Sequence, residues 1–311
     1  MQPEFKTKSA SMERAQERLI NEVLVRGRVA EYHLWPRRKA TAGEPPELAT
    51  LKSRLRRIWM AGDYDRLDRY MAGGAEAFYG RLSVPRGSKL LDVGCGAGQL
   101  TLIASRNGAD ATGVDIAENL VERARERARV EGLGARFQVA DAEALPFADA
   151  SFDVVTSLNG AMFAPRPEIV TGEILRVSRA GGIIAMANWT EQGFVGKMFK
   201  ALSEFVAPSG MPAPVLWGDH RTVRERFGAG VSSLRLTRRD TELNYPFPPG
   251  EVVRFFRAYH GPTNRAFASL NRAGRLRLQT EMEALWSSHN LAEGGFTKVD
   301  AEWLEVIAVR R

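Results

Sequence analysis

The spacing of apolar positions changes near residue 89. Before it they recur at helical period: Met12, Leu19, Ile20, Val23 and Leu24 form one stripe that predicts a helix over 12–30, and further helical patterns cover 47–60 and 65–80. Residues 1–11 are polar and aperiodic, which predicts disorder. Residues 36–46, rich in charge, glycine and proline, read as a linker. Gly62-Asp63-Tyr64-Asp65 splits the later helices, and Asp63 or Asp65 stands where it can cap the second. From residue 89 short apolar runs alternate with helical stretches. Strands are expected at 89–93, 111–115, 137–140, 152–158 and 183–189, with helices starting at 100 and covering 118–131 and 167–178. A strand-like stretch at 231–236, helices at about 263–290 and a last strand at 302–309 complete seven strands. Such alternation predicts an α/β fold, a doubly wound, mostly parallel, Rossmann-like sheet with helices on both faces.

The first strand runs into Asp92-Val93-Gly94-Cys95-Gly96-Ala97-Gly98, with glycines on alternate positions at the start of a helix. Glycine there permits positive φ and a close ligand approach, and the helix N-terminus presents free N–H groups. Turns of this kind serve dinucleotides and S-adenosylmethionine. The dinucleotide fingerprint G-x-G-x-x-G is not met, because its last position holds Gln99. Asp115 ends the second strand, where a carboxylate can take both hydroxyls of an adenosine ribose. Asp141 ends the third, where it can accept the adenine amino hydrogens. Either acid alone is equally explained as a helix N-cap; all three strand-end acids beside alternating glycines are harder to explain so.

Composition narrows the classes. The chain has 311 residues, a net charge of +7 and one cysteine, Cys95, which excludes an intrachain disulfide and a cysteine metal cluster. No run of about 18 apolar residues exists and residues 1–10 lack an apolar core, so no membrane span and a cytoplasmic location are expected. Positive charge is scattered, and 52–57 has the spacing of an amphipathic helix with Leu51, Leu55 and Ile58 on its apolar face, so a solvated basic face is favoured over a specific nucleic-acid groove. No convergent His and carboxylate cluster for a metal is visible. A homodimer is compatible with the sequence.

Leu91–Gly98, Gly113-Val114-Asp115-Ile116, Asp141-Ala142-Glu143-Ala144-Leu145-Pro146-Phe147, Ser151-Phe152-Asp153-Val154-Val155 and Arg179-Ala180-Gly181-Gly182 resemble class I S-adenosylmethionine-dependent methyltransferases. They are most similar to the branch that includes the ubiquinone and menaquinone biosynthesis enzymes. The resemblance covers about 88–190 and implies S-adenosylmethionine as cofactor. It implies that Gly94, Cys95, Gly96 and Gly98 cradle the methionine part and Asp92 organises its amino group. Asp115 with Ile116 would hold the ribose, Asp141 with Ala142 would frame adenine, and Leu158 and Asn159 would border the transferring methyl. It further implies that 47–82 folds over the cofactor as a helical lid, bringing Trp59 and Tyr64 to it, while 1–46 stays apart and 83–311 forms the methyltransferase domain.

The acceptor is the less patterned part. Ser157-Leu158-Asn159-Gly160 lacks the Asp/Asn-Pro-Pro-aromatic motif of nucleobase amine methylation, and one cysteine excludes cytosine-carbon and arsenite methylation. An insertion at 191–230, with Phe194, Met198, Phe199, Leu202 and Phe205 at helical spacing and Trp217 beyond, can roof an acceptor pocket or merely pack on the sheet. Phe163, Phe199, Trp217, Tyr259 and His260 are the candidate substrate-binding residues, and His220, His260 and Tyr64 the candidate bases. The expected activity is methyl transfer to O, N or C of a small, partly apolar molecule. An RNA or protein methyltransferase and a non-catalytic cofactor-binding module are the alternatives.

Overall fold

The computed structural model describes residues 46–70, 72–206 and 210–311. The helix expected at 12–30 and the linker up to residue 45 lie outside the described residues. Three helices come first: α1 (Pro46–Met60), α2 (Tyr64–Asp68) and α3 (Ala72–Leu82). Asp63 is the N-cap of α2, its carboxylate accepting from the Arg66 backbone N–H at 3.4 Å.

The alternating part follows as β1 (Lys89–Val93), α4 (Gln99–Arg106), β2 (Asp110–Asp115), α5 (Glu118–Val130), β3 (Arg136–Val139), β4 (Phe152–Leu158), α6 (Pro167–Val177) and β5 (Ser178–Trp189). Beyond it lie α7 (Phe194–Ser203), α8 (His220–Phe227), β6 (Val231–Tyr245), α9 (Pro249–Tyr259), α10 (Gly261–Ser269), α11 (Arg272–Ser288) and β7 (Thr297–Arg310). The seven strands form one sheet in the order β3-β2-β1-β4-β5-β7-β6. The first five are parallel, and β7 runs antiparallel to both β5 and β6. Strand order reverses between β1 and β4, so the crevice at their carboxyl ends is the natural ligand site. Among the described residues no helix is long and apolar enough to cross a membrane.

The last strand begins earlier than expected, at Thr297, β5 begins at Ser178, and a helix not expected from the sequence, α9, precedes α10; two further differences bear on the site. The strand expected at 231–236 extends to Tyr245 and pairs with β7 along its length. Beyond Leu236 its residues are mostly polar on both faces, because β6 is the sheet edge, so the apolar alternation that marks a strand is missing there. Cross-strand charge pairs hold it instead: Arg238 with Glu302 at 3.3 Å, Arg239 with Glu305 at 3.1 Å, and Lys298 with Glu242. The insertion at 191–230 also divides. Its α7 turns toward the strand ends, whereas the 3-10 turn Pro214–Gly218 and α8 pack with α6 against β5 and β6.

The loops after β1 and β4 meet backbone to backbone. Gly94 has φ of 72°, and a Cβ on it would lie 2.7 Å from the Gly160 Cα; a Cβ on Gly160 would lie 2.2 Å from the Gly94 carbonyl oxygen. Ser157 ties the same loops, its hydroxyl donating to the Val93 carbonyl at 2.7 Å and accepting from the Ala161 N–H at 2.9 Å. Gly98 closes the other side: with φ of 85° it starts α4, and a Cβ there would come within 2.9 Å of Ala124 and Phe137. Gly98 therefore supplies the close helix packing that a dinucleotide loop obtains one residue later. Gly160→Ala is expected to lower unfolding stability by about 1–3 kcal/mol through overpacking, whereas Gly134→Ala, whose Cβ meets nothing within 4 Å, should stay within about 0.5 kcal/mol. Urea unfolding of both variants checks the contrast.

Candidate cofactor and acceptor site

The carboxyl ends of β1, β2 and β4 open into one cavity that runs from the glycine loop to α7, α9 and α11. Asp92, at its floor, is buried and accepts from the Thr101 hydroxyl at 2.7 Å and from Thr156 at 3.4 Å. Burial, with a smaller contribution from the Asp115 charge, pushes its pKa up to about 6 despite those bonds. The Asp115 carboxylate holds the loop itself, accepting from the Gly96 N–H at 2.9 Å and the Ala117 N–H at 2.8 Å, and burial raises its pKa too. Asp92, buried, and Asp115, half-buried, both gain as ions from a cation, so this half of the cavity is favourable to a cation and hostile to a pyrophosphate. Cys95 packs close to Gly113, where an added Cβ would be 2.9 Å from its sulfur, and burial and both acids raise its thiol pKa. It is a small packing residue in its neutral form.

Asp141 stands after β3 with both oxygens engaged. One accepts from the Glu143 N–H at 2.8 Å, and the other receives the Lys52 ammonium at 2.5 Å. Lys52 also reaches Glu143 at 2.7 Å, and Glu143 in turn binds the Arg166 backbone N–H at 2.6 Å and its guanidinium at 2.7 Å. Lys52 thus departs from the solvated face expected of it: it is 8% exposed. The reason is the stripe it belongs to, since Lys52, Leu55 and Trp59, at i, i+3 and i+7 of α1, all line the cavity. Exposed pairs fasten the outer side of the same region: Arg56 with Glu118 at 2.8 Å and Asp65 with Arg123 at 2.8 Å. On the far side the Asp63 N–H donates to the Tyr259 carbonyl at 2.8 Å, and Gly261 lies so close that a Cβ would be 2.2 Å from the Ile58 carbonyl oxygen.

Beyond the acids the lining is aromatic. Phe199 meets Phe163 at 5.7 Å between ring centroids, Phe163 meets Trp59 at 4.7 Å, and Trp59 meets Tyr64 at 5.9 Å. Tyr64 meets His260 at 6.3 Å, His260 meets Phe256 at 5.3 Å, Phe256 meets Trp286 at 5.2 Å, and Trp286 meets Phe194 at 4.4 Å. Phe194 and Phe199 share α7, so the chain of rings closes on itself, and every member lines the cavity. Trp189 and Trp303, register partners across β5 and β7, line it as well. His260 is buried, its Nδ1 lies 2.8 Å from the Thr263 hydroxyl, and burial alone lowers its pKa to about 4, so it is neutral at neutral pH.

Of the residues singled out in the sequence, Trp59, Tyr64, Asp92, Gly94, Cys95, Gly96, Asp115, Ile116, Asp141, Ala142, Leu158 and Asn159 come together in this cavity, as do Phe163, Phe199 and His260. Gly98 does not line it and serves packing. Trp217 lies outside it: 1% exposed, it sits under the Arg226 guanidinium at 4.4 Å and beside Phe227. Tyr259 is outside too: its ring sits between Phe255, at 5.0 Å between centroids, and the Arg66 guanidinium at 4.8 Å. His220, a candidate base, is likewise not part of the lining. Lys52, Trp189, Trp286 and Trp303 are among the lining residues that sequence reasoning missed; of these four only Lys52 carried a local signal, its helical stripe.

Residues 91–186 match the family model described as a methyltransferase domain. The uncharacterized protein Rv1405c of Mycobacterium tuberculosis is 32% identical over 261 residues, spanning 81% of this chain and 95% of that protein. The methyltransferase GfsG of Streptomyces halstedii is 39% identical over 132 residues, 42% of this chain and 48% of its own. In fold, the YcgJ protein of Bacillus subtilis is similar with a TM-score of 0.52 at 19% identity, over 77% of this chain and 99% of that one. The domain model matched at 91–186 and the sheet order with its glycine crevice agree: this chain carries a class I S-adenosylmethionine-dependent methyltransferase domain.

Proposed function

We propose that the protein transfers the methyl group of S-adenosylmethionine to an oxygen, nitrogen or carbon nucleophile of a small, partly apolar molecule. The observation that carries this reading is the division of one cavity: its charged lining residues, Lys52, Asp92, Asp115 and Asp141, occupy the glycine-loop half, and aromatic rings enclose the other. The likeness of the motifs to the ubiquinone and menaquinone biosynthesis branch supports the same acceptor class.

The residues present fit the cofactor. Apart from its own chain neighbours, no described residue lies within 4 Å of the position a Cβ would take on Gly96, so a ligand can lie against that backbone. Asp92 and Asp115, disfavoured as ions by burial, gain from a cationic ligand. On this reading Asp92 faces the methionine amino group and Gly94, Cys95 and Gly96 cradle the chain. Asp115 takes the ribose hydroxyls on its remaining lone pairs beside Ile116, Asp141 and Ala142 frame adenine, and Leu158 and Asn159 border the methyl. Residues 47–82 act as a lid, with Lys52 fastening it at Asp141 and with Trp59 and Tyr64 offering ring faces to the sulfonium. When bound, S-adenosylmethionine supplies a methyl group on positively charged sulfur. The protein contributes orientation and the exclusion of water.

Release of S-adenosylhomocysteine on incubation with a panel of small apolar acceptors tests the function; turnover confined to RNA or protein would overturn it. The cofactor half generates two further expectations. Because Asp92 must ionise to face an ammonium, S-adenosylhomocysteine affinity should weaken about tenfold as pH falls from about 7 to 5, one unit below the Asp92 pKa. Asp92→Asn should flatten that dependence in calorimetric titrations. Lys52→Met should speed hydrogen exchange of the α1 amides at least about tenfold, an opening cost lowered by about 1.4 kcal/mol or more, while the β1 amides keep their protection.

A further inference from the structure

We propose that the acceptor is an uncharged molecule methylated on a hydroxyl oxygen, and that His260, held by Thr263, takes the hydroxyl proton. The inference deepens the proposed function and rests on it. Its first support is the absence, among the described residues lining the aromatic half, of any Asp, Glu, Lys or Arg side chain. A carboxylate, phosphate or ammonium on the acceptor would lose its hydration there without a counterion, a penalty of several kcal/mol per ion. The second is the placement of His260. It lines the cavity between Tyr64 and Phe256, and its Nδ1 has a partner in Thr263, itself fully buried on the first turn of α10. With Nδ1–H donating to the Thr263 hydroxyl, Nε2 presents a lone pair, and burial keeps the ring unprotonated at neutral pH.

An amine acceptor attacks with a lone pair it already has, but a hydroxyl must lose its proton as it is alkylated. The balance is simple. The acceptor oxygen forms a bond to the methyl carbon, the carbon–sulfur electron pair goes to sulfur, and the O–H proton passes to His260 Nε2. The products are a methyl ether, S-adenosylhomocysteine and an imidazolium. His260 is thus the catalytic residue and Thr263 a positioning residue that holds the ring through Nδ1.

The test compares three probes of one shape that can fill the circuit of rings: naphthol, naphthoate and protonated naphthylmethylamine. Binding is read by tryptophan fluorescence with S-adenosylhomocysteine present, and turnover by product release from S-adenosylmethionine. Naphthol is expected to bind at least tenfold more tightly than either ion and to yield methoxynaphthalene. His260→Ala and His260→Gln should lower kcat about a hundredfold or more with naphthol affinity changed less than tenfold and cofactor affinity unchanged. Thr263→Val should lower kcat while leaving KM within about threefold, and Thr263→Ser should restore it. Equal or tighter binding of an ion, methylation of the amine in preference to naphthol, an undiminished kcat in both His260 variants, or no methylation of naphthol would overturn the proposal. Methylation of the amine would still leave small-molecule methyl transfer standing, whereas turnover with RNA or protein alone would remove that reading as well.

Discussion

The contact that the rest of the site depends on is the backbone meeting of Gly94 and Gly160. Two loops from neighbouring parallel strands touch where any side chain would separate them by the width of a methyl group. Their approach closes the gap between β1 and β4 while leaving the helix N-terminus and the strand-end acids facing the crevice. Because the order is β3-β2-β1-β4, Asp92, Asp115 and Asp141 emerge from adjacent strands in a row. A single packing constraint at the point of chain reversal thereby orders three carboxylates that are far apart in sequence.

The row of acids and the circuit of rings divide the cavity by dielectric character as well as by shape. At one end burial leaves carboxylates short of solvent and short of counterions, except where Lys52 reaches Asp141 and Glu143. At the other, polarizable ring faces and one neutral imidazole present no net charge. A molecule spanning both must be positive where it meets Asp92 and Asp115 and neutral where it meets Phe256 and Trp286. This polarity fits the join between a sulfonium and an apolar nucleophile.

What could be read from the chain was governed by distance along it. β1 and β4 were legible to the residue, and Asp92, Gly94, Gly96, Asp115 and Asp141 could be placed, because a strand, its turn and the helix that follows are set by neighbours within one βα unit. β6 beyond Leu236 was not legible, since an edge strand held by Arg–Glu pairs carries no apolar alternation. Trp217 read as acceptor lining because an aromatic residue in an insertion looks the same whichever sheet face it joins, and Tyr259 because Phe256 and Tyr259 sit nearly on one side of a helix. Trp189 and Trp303 meet only through strand register, and Trp286 reaches the cavity only through the packing of α11, so none had a local signature.

Lys52 and Trp59 lie two turns apart on the same stripe of α1, the first over the acids and the second within the circuit of rings. One helix is therefore a common wall of both compartments. On the lid reading proposed for 47–82, an outward swing of α1 would open the adenine and acceptor subsites together. On that reading the spent cofactor and the methylated product would share a doorway, and a slow opening of that doorway would delay the two departures alike, whatever the speed of bond formation behind it.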